Sequence, residues 1–75
     1  MNKNLKHILL KNLSEELKQI RLKKGLSQTD VALQTNISLQ NLHLIEEGEN
    51  LAFRKYMHLL HFYGKEIRFV LKDRI

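Results

Sequence analysis

The sequence predicts an all-α domain of four to five short helices, and three observations predict it. All three glycines, Gly25, Gly48 and Gly64, follow a helically periodic segment, where a left-handed residue ends a helix. There is no proline to interrupt one. Serines able to cap a helix, Ser14, Ser27 and Ser38, stand at the opposite ends. Starts, stops and periodicity therefore agree over most of the chain, as they do in a sequence that specifies one structure.

The segment 1–12 is polar around Leu5, Ile8, Leu9 and Leu10. A spacing of 5, 8, 9 fits one face of a helix, and three adjacent apolar residues also fit a strand. This segment is expected to be a short helix or an ordered arm. The main domain is expected over 13–64. Ser14 can cap a helix of about 14–24, with Glu15 and Glu16 in the first turn, where negative charge meets the positive helix end. Leu13, Leu17 and Ile20 form its apolar stripe.

Ser27 caps the next helix, and Asp30 three residues on completes a capping box. Val31 and Ala32 face inward, and Ala32 is small enough for close helix approach. Asn36 tolerates the left-handed conformation a tight turn needs. Ile37 precedes the cap Ser38 and can pack on Leu42 as a hydrophobic staple. That helix is expected over about 39–47, with Leu42 and Ile45 inward. Two helices so short, joined so tightly, make a helix-turn-helix unit from Ser27 to Gly48. A last helix starts at Asn50 or Leu51 and buries one face, Phe53, Tyr56, Leu59, Leu60 and Tyr63.

Beyond Gly64 the period changes. Ile67, Phe69 and Leu71 alternate with Arg68, Val70 and Lys72, which is a strand pattern. A lone strand leaves its backbone groups unpaired. The simplest partner is the same strand of a second copy, so segment 65–75 is expected to form a two-stranded ribbon across a two-fold axis. This predicts a homodimer paired through Ile67, Phe69, Val70 and Leu71.

Seventy-five residues make one small domain with a thin core. Without cysteine there is neither a disulfide nor a thiolate metal site, and such a chain suits the cytoplasm. No apolar run approaches the ~20 residues that span a bilayer. The first residues, with only Ile8, Leu9 and Leu10 together, are too short for a secretory core. His58 and His61 have the spacing of two metal ligands but lack supporting ligands, so a solvated or interfacial pair is expected. No nucleophile and base fall into a recognisable constellation. No enzyme activity, cofactor or metal is expected.

Thirteen basic against eight acidic residues give +5, compatible with a polyanionic partner. Between Gly25 and Phe53 there is no lysine or arginine, while Asp30, Glu46, Glu47 and Glu49 all lie there. Cations flank the stretch instead. Lys23 and Lys24 before it, with Arg54 and Lys55 after it, are the candidates for phosphate contacts.

From Leu17 to Gly64 the chain resembles the Cro/CI (XRE) family of helix-turn-helix repressors. The resemblance is carried by Ile20-Arg21, Gly25-Leu26-Ser27-Gln28, Val31-Ala32, Ile37-Ser38, Leu42, Ile45-Glu46, Gly48 and the run from Phe53 to Tyr63. It implies a lambda-repressor-like fold and double-stranded DNA as partner, on a pseudo-palindromic operator. It also implies that Gln28 anchors the unit on DNA, and that Ser38, Leu39, Gln40, Asn41 and His43 begin the base-reading helix. Arg21 and Glu46 would be a buried structural pair. The strand following the last helix is similar to that of HipB-type antitoxins, which implies a HipA-like kinase toxin as a second partner.

In the major groove, Gln40 and Asn41 can bond adenine N6 and N7, and Leu39 can meet a thymine methyl. The expected function is a sequence-specific repressor, an antitoxin that controls its own promoter. The alternative is a protein-interaction module, a toxin neutraliser or scaffold with weak or lost DNA binding. Leu33, Leu39 and Leu44, which stand where polar or basic residues are usual, favour that alternative.

Overall fold

A computed structural model describes residues 3–49, 53–68 and 73. Four helices lie among them: α1 (Lys3–Lys23), α2 (Gln28–Thr35), α3 (Leu39–Glu46) and α4 (Phe53–Phe62). α2 packs on α3, α1 crosses α3, and α4 closes against α2.

The first helix differs from expectation. It does not start at Ser14 but runs unbroken for 21 residues from Lys3. Leu10, Leu13, Leu17 and Ile20 extend one apolar stripe through the Ser14 region and all meet the core, and nothing there breaks a helix. Ser14 is therefore no cap. It is buried, 1% exposed, and its small side chain lets α1 approach the Tyr56 hydroxyl. Lys11, one turn earlier, donates from Nζ to the Glu47 carbonyl. Gly48 makes this crossing possible in two ways. Its φ of +79° belongs to the left-handed region, and a Cβ there would lie 2.8 Å from Lys11 Cδ.

The helix-turn-helix unit follows its sequence signals closely. Ser27 Oγ accepts from the Asp30 N–H at 3.0 Å, and Asp30 Oδ2 accepts from the Ser27 N–H at 2.9 Å. The Ser27 N–H, and after it the Ser27 hydroxyl, hold the Asp30 carboxyl below its usual range. Asn36 takes φ 62°, and its N–H reaches the Ala32 carbonyl at 3.0 Å. Thr35 contributes what the sequence did not announce. Its hydroxyl donates to the Val31 carbonyl at 2.7 Å and accepts the Ile37 N–H at 3.2 Å. The turn thus leaves no backbone donor stranded beside the core.

Leu17, Val31, Leu42, Ile45, Tyr56 and Leu59 are fully buried and form the centre of that core. Burying a side chain of this kind stabilises by about 1.5–3 kcal/mol. Phe53, expected on the same inward face of α4 as Tyr56, is instead 56% exposed. As the first residue of α4 it lies nearly a full turn before Tyr56, at the margin of the buried face. The expected start of this helix, at Asn50 or Leu51, lies outside the described residues. Leu44, expected outward, is half-buried.

After α4, Gly64 turns the chain and the Lys65 N–H returns to the Leu60 carbonyl at 2.8 Å. Lys65 to Arg68 form no strand in the single chain, and Ile67 packs against the core of its own molecule. Ile67 is thus at least partly committed to an intramolecular contact. Phe69, Val70 and Leu71, the rest of the expected pairing strand, lie outside the described residues.

Candidate nucleic-acid interface

α3 has a locked face and an open face. Leu42, Ile45 and Glu46 are buried, which fixes its position. Leu39, Gln40, His43 and Glu47 point the other way and are exposed. Their spacing of 1, 3 and 4 places them on one side of the helix. Ser38 is occupied as the cap, with Oγ accepting the Asn41 N–H at 3.1 Å. Asn41 is half-buried and so presents less of its amide than Gln40 does. His43 Nε2 lies 4.0 Å from Glu47 Oε1 one turn on, a contact that attracts when the imidazole is protonated. This surface offers an amide, an imidazole, an apolar group and the Glu47 carboxylate, and no lysine or arginine.

Behind the open face lies a four-residue network. Arg21 Nε donates to Glu46 Oε2 at 2.7 Å, and Nη2 donates to Oε1 at 3.0 Å, a bidentate pair. Arg21 Nη1 donates to the Leu26 carbonyl at 2.9 Å. Arg21 and Glu46 are both 8% exposed. The hydrogen bond to Glu46 is the main reason the guanidinium holds its proton even more firmly than usual, against the cost of burial. The pairing expected of Arg21 and Glu46 is therefore present in full.

Gln28 joins the same carboxylate. Its Nε2 donates to Glu46 Oε1 at 3.0 Å. A carboxylate only accepts, so the amide nitrogen must face Glu46 and the carboxamide oxygen points elsewhere. Gln28 is half-buried, tied to the last residue of α3 from the first residue of α2. The resemblance gave Gln28 an outward role but not this inward bond. A glutamine one residue after a cap gives no sign of it, because the partner comes from 18 residues away. Tyr63 stands close to the network. Burial pushes its phenol up to about 12, Glu46 adds to the shift, and Arg21 opposes it.

The flanking cations are placed as follows. Lys23 and Lys24 are exposed at the end of α1, Arg54 is exposed in the first turn of α4, and Lys55 beside it is half-buried. Lys23 and Lys24 line a surface groove together with Lys65 and Arg68. That gathering of four cations from the end of α1 and the segment after α4 was not visible in the sequence. Among the described residues, no helix is long and apolar enough to cross a membrane.

A family model described as a helix-turn-helix domain matches residues 16–57. The match begins inside α1 and ends inside α4, so it covers the network, the turn and all of α2 and α3. A helix-turn-helix domain suggests DNA as a partner. No curated protein matches the chain.

Proposed function

This chain belongs to the helix-turn-helix domain family, and from that premise we propose that it is a sequence-specific DNA-binding repressor acting as a homodimer. The observation that carries the reading is the two-sided character of α3. Its inner face is locked by Leu42, Ile45 and Glu46, so Leu39 and Gln40 project from its first turn with a fixed aim. In the major groove, Gln40 bonds adenine N6 and N7 and Leu39 packs on a thymine methyl. His43 reaches further along the groove, and Asn41 contributes what its half-buried position leaves open.

The α2 N-terminus and the second N–H of the Gln28 amide, the one not given to Glu46, donate to a phosphate, and Lys23, Lys24, Arg54 and Lys55 supply the positive charge that α3 lacks. Two copies paired through the 66–72 segment bind half-sites about one helical turn apart. The resemblance of the tail to HipB-type antitoxins supports the finer reading. In it the protein is the cytoplasmic antitoxin of a HipA-like kinase toxin, represses its own promoter and has no catalytic activity.

A second reading has its own observation. Leu33 is 80% exposed on α2, and a bare leucine on a helix-turn-helix face without cations suits a protein-interaction module. A mobility-shift assay on the protein's own upstream DNA, at two salt concentrations, separates the readings. Tight, competitor-resistant binding that Gln40→Ala abolishes supports the repressor. Equally weak binding to any duplex favours the interaction module.

A further inference from the structure

α1 from Leu13 onward and the chain from Leu60 to Arg68 enclose an open groove of about 600 Å³. It lies apart from the exposed residues of α3, none of which lines it. Its apolar surface comes from Leu13, Ile20, Leu60 and Ile67. Its basic groups are Lys23 and Lys24 from the end of α1, and Lys65 and Arg68 from the segment after α4. Two carboxylates also line it, Glu16 and Glu66, and Glu66 Oε1 is taken by Arg68 Nε at 2.8 Å. Among the described residues no carboxylate pairs with Lys23, Lys24 or Lys65.

Unpaired ammonium groups beside an apolar surface select for a ligand with both characters. An apolar chain alone would leave the lysines unused, and a bare phosphodiester would gain nothing from Leu13, Ile20, Leu60 and Ile67. The volume falls in the ~300–1,000 Å³ range of small-molecule sites. We propose that this groove binds an amphipathic monocarboxylate, with its alkyl or aryl body against Leu13, Ile20 and Ile67 and its carboxylate between Lys23, Lys24 and Lys65. The groove shares Lys23 and Lys24 with the proposed phosphate contacts and Glu66, Ile67 and Arg68 with the proposed pairing segment, so its ligand would compete with both, and titration of the protein without DNA tests it apart from the DNA-binding reading.

Methyl NMR of the full chain, titrated separately with octanoate, 1-octanol and acetate, tests this. Octanoate is expected to move the Leu13, Ile20, Leu60 and Ile67 methyl resonances saturably. Octanol, which lacks the charge, and acetate, which lacks the chain, should each bind at least about fivefold more weakly. Lys65→Glu should weaken octanoate about fivefold or more, and Lys65→Gln, the milder change, by less, with the helical circular dichroism unaltered. Octanol binding as well as octanoate, shifts that do not saturate or that centre away from the groove, or affinity unmoved by both Lys65 variants would each overturn the proposal.

Discussion

Gln28 and Arg21 share one acceptor: Glu46 Oε1 takes Gln28 Nε2 and Arg21 Nη2, each at 3.0 Å. One carboxylate at the end of α3 therefore holds the end of α1 and the start of α2. Removing it leaves a buried guanidinium without its counter-charge. Glu46→Ala should lower the unfolding free energy by about 3–5 kcal/mol, read from urea denaturation followed by circular dichroism. Replacing both partners with apolar residues, Arg21→Met with Glu46→Leu, should cost clearly less than Glu46→Ala alone. Equal losses would mean that the pair is not desolvated as its burial indicates.

Gln28→Ala removes one neutral donor and leaves the ion pair standing, so the loss of stability should be about 1 kcal/mol. Gln28→Glu sets two carboxylates against each other and should lose more than Gln28→Ala. If the side chain also acts on DNA, Gln28→Ala should weaken operator binding by more than its stability loss explains. Fluorescence anisotropy well below the melting temperature separates the two effects.

Two glycines give a contrast that isolates close packing from backbone strain. Gly25 and Gly48 have φ of +71° and +79°, but only Gly48 has a neighbour where a Cβ would go. Gly25→Ala should cost about 1–2 kcal/mol, the left-handed penalty alone. Gly48→Ala should cost about 1–3 kcal/mol more, part of which Lys11→Ala restores. Thermal melts of the three variants decide it, and the idea fails if Gly25→Ala and Gly48→Ala melt together.

Tyr63 sets an alkaline limit. Its folded-state value of about 12 lies above the ordinary 10, so folding favours the neutral phenol. Its contribution is complete below about pH 10 and is lost as pH rises from there through 12. Urea midpoints between pH 8 and pH 11 should decline for the wild type. For Tyr63→Phe that part of the decline should vanish, and an identical slope in both proteins would rule out Tyr63 as its source.

The tail separates two roles. Ile67 packs on its own core, so truncation after Gly64 should cost stability as well as pairing. Phe69→Arg tests pairing more cleanly. Light scattering should report a monomer for that variant and a dimer for the wild type. A variant that stays dimeric would place the two-fold contact elsewhere.

The helix stops and the caps of α2 and α3 were legible because each depends on one residue and its neighbours within four positions. Gly25, Gly48 and Gly64 took the left-handed conformation that a missing Cβ allows, and Ser27, Ser38 and Asn36 the cap and turn conformations their side chains favour. Ser14 misled for the same reason. A serine before two glutamates carries a capping signal, and that signal lost to an apolar stripe continuing from Leu10 to Ile20. Phe53 misled because helical spacing does not tell where along a helix the core ends. For the candidate interface, the pairing of Arg21 with Glu46 came from family resemblance. The attachment of Gln28, the Lys11–Gly48 crossing and the gathering of Lys23, Lys24, Lys65 and Arg68 join residues 18 or more positions apart. Such contacts are products of packing, and no local pattern encodes them.

Thr35 gives the turn a mechanical character. Its hydroxyl clamps the Val31 carbonyl on one side and the Ile37 amide on the other, so one oxygen fastens the backbone of the turn at two points. A valine there would fill the same space and lose the clamp. The consequence is a hinge with play in it. Leu42, Ile45 and Glu46 would still hold α3 on the core, so the slack stays in the turn, and the Ile37 amide, left without its acceptor, would be among the first to exchange with solvent.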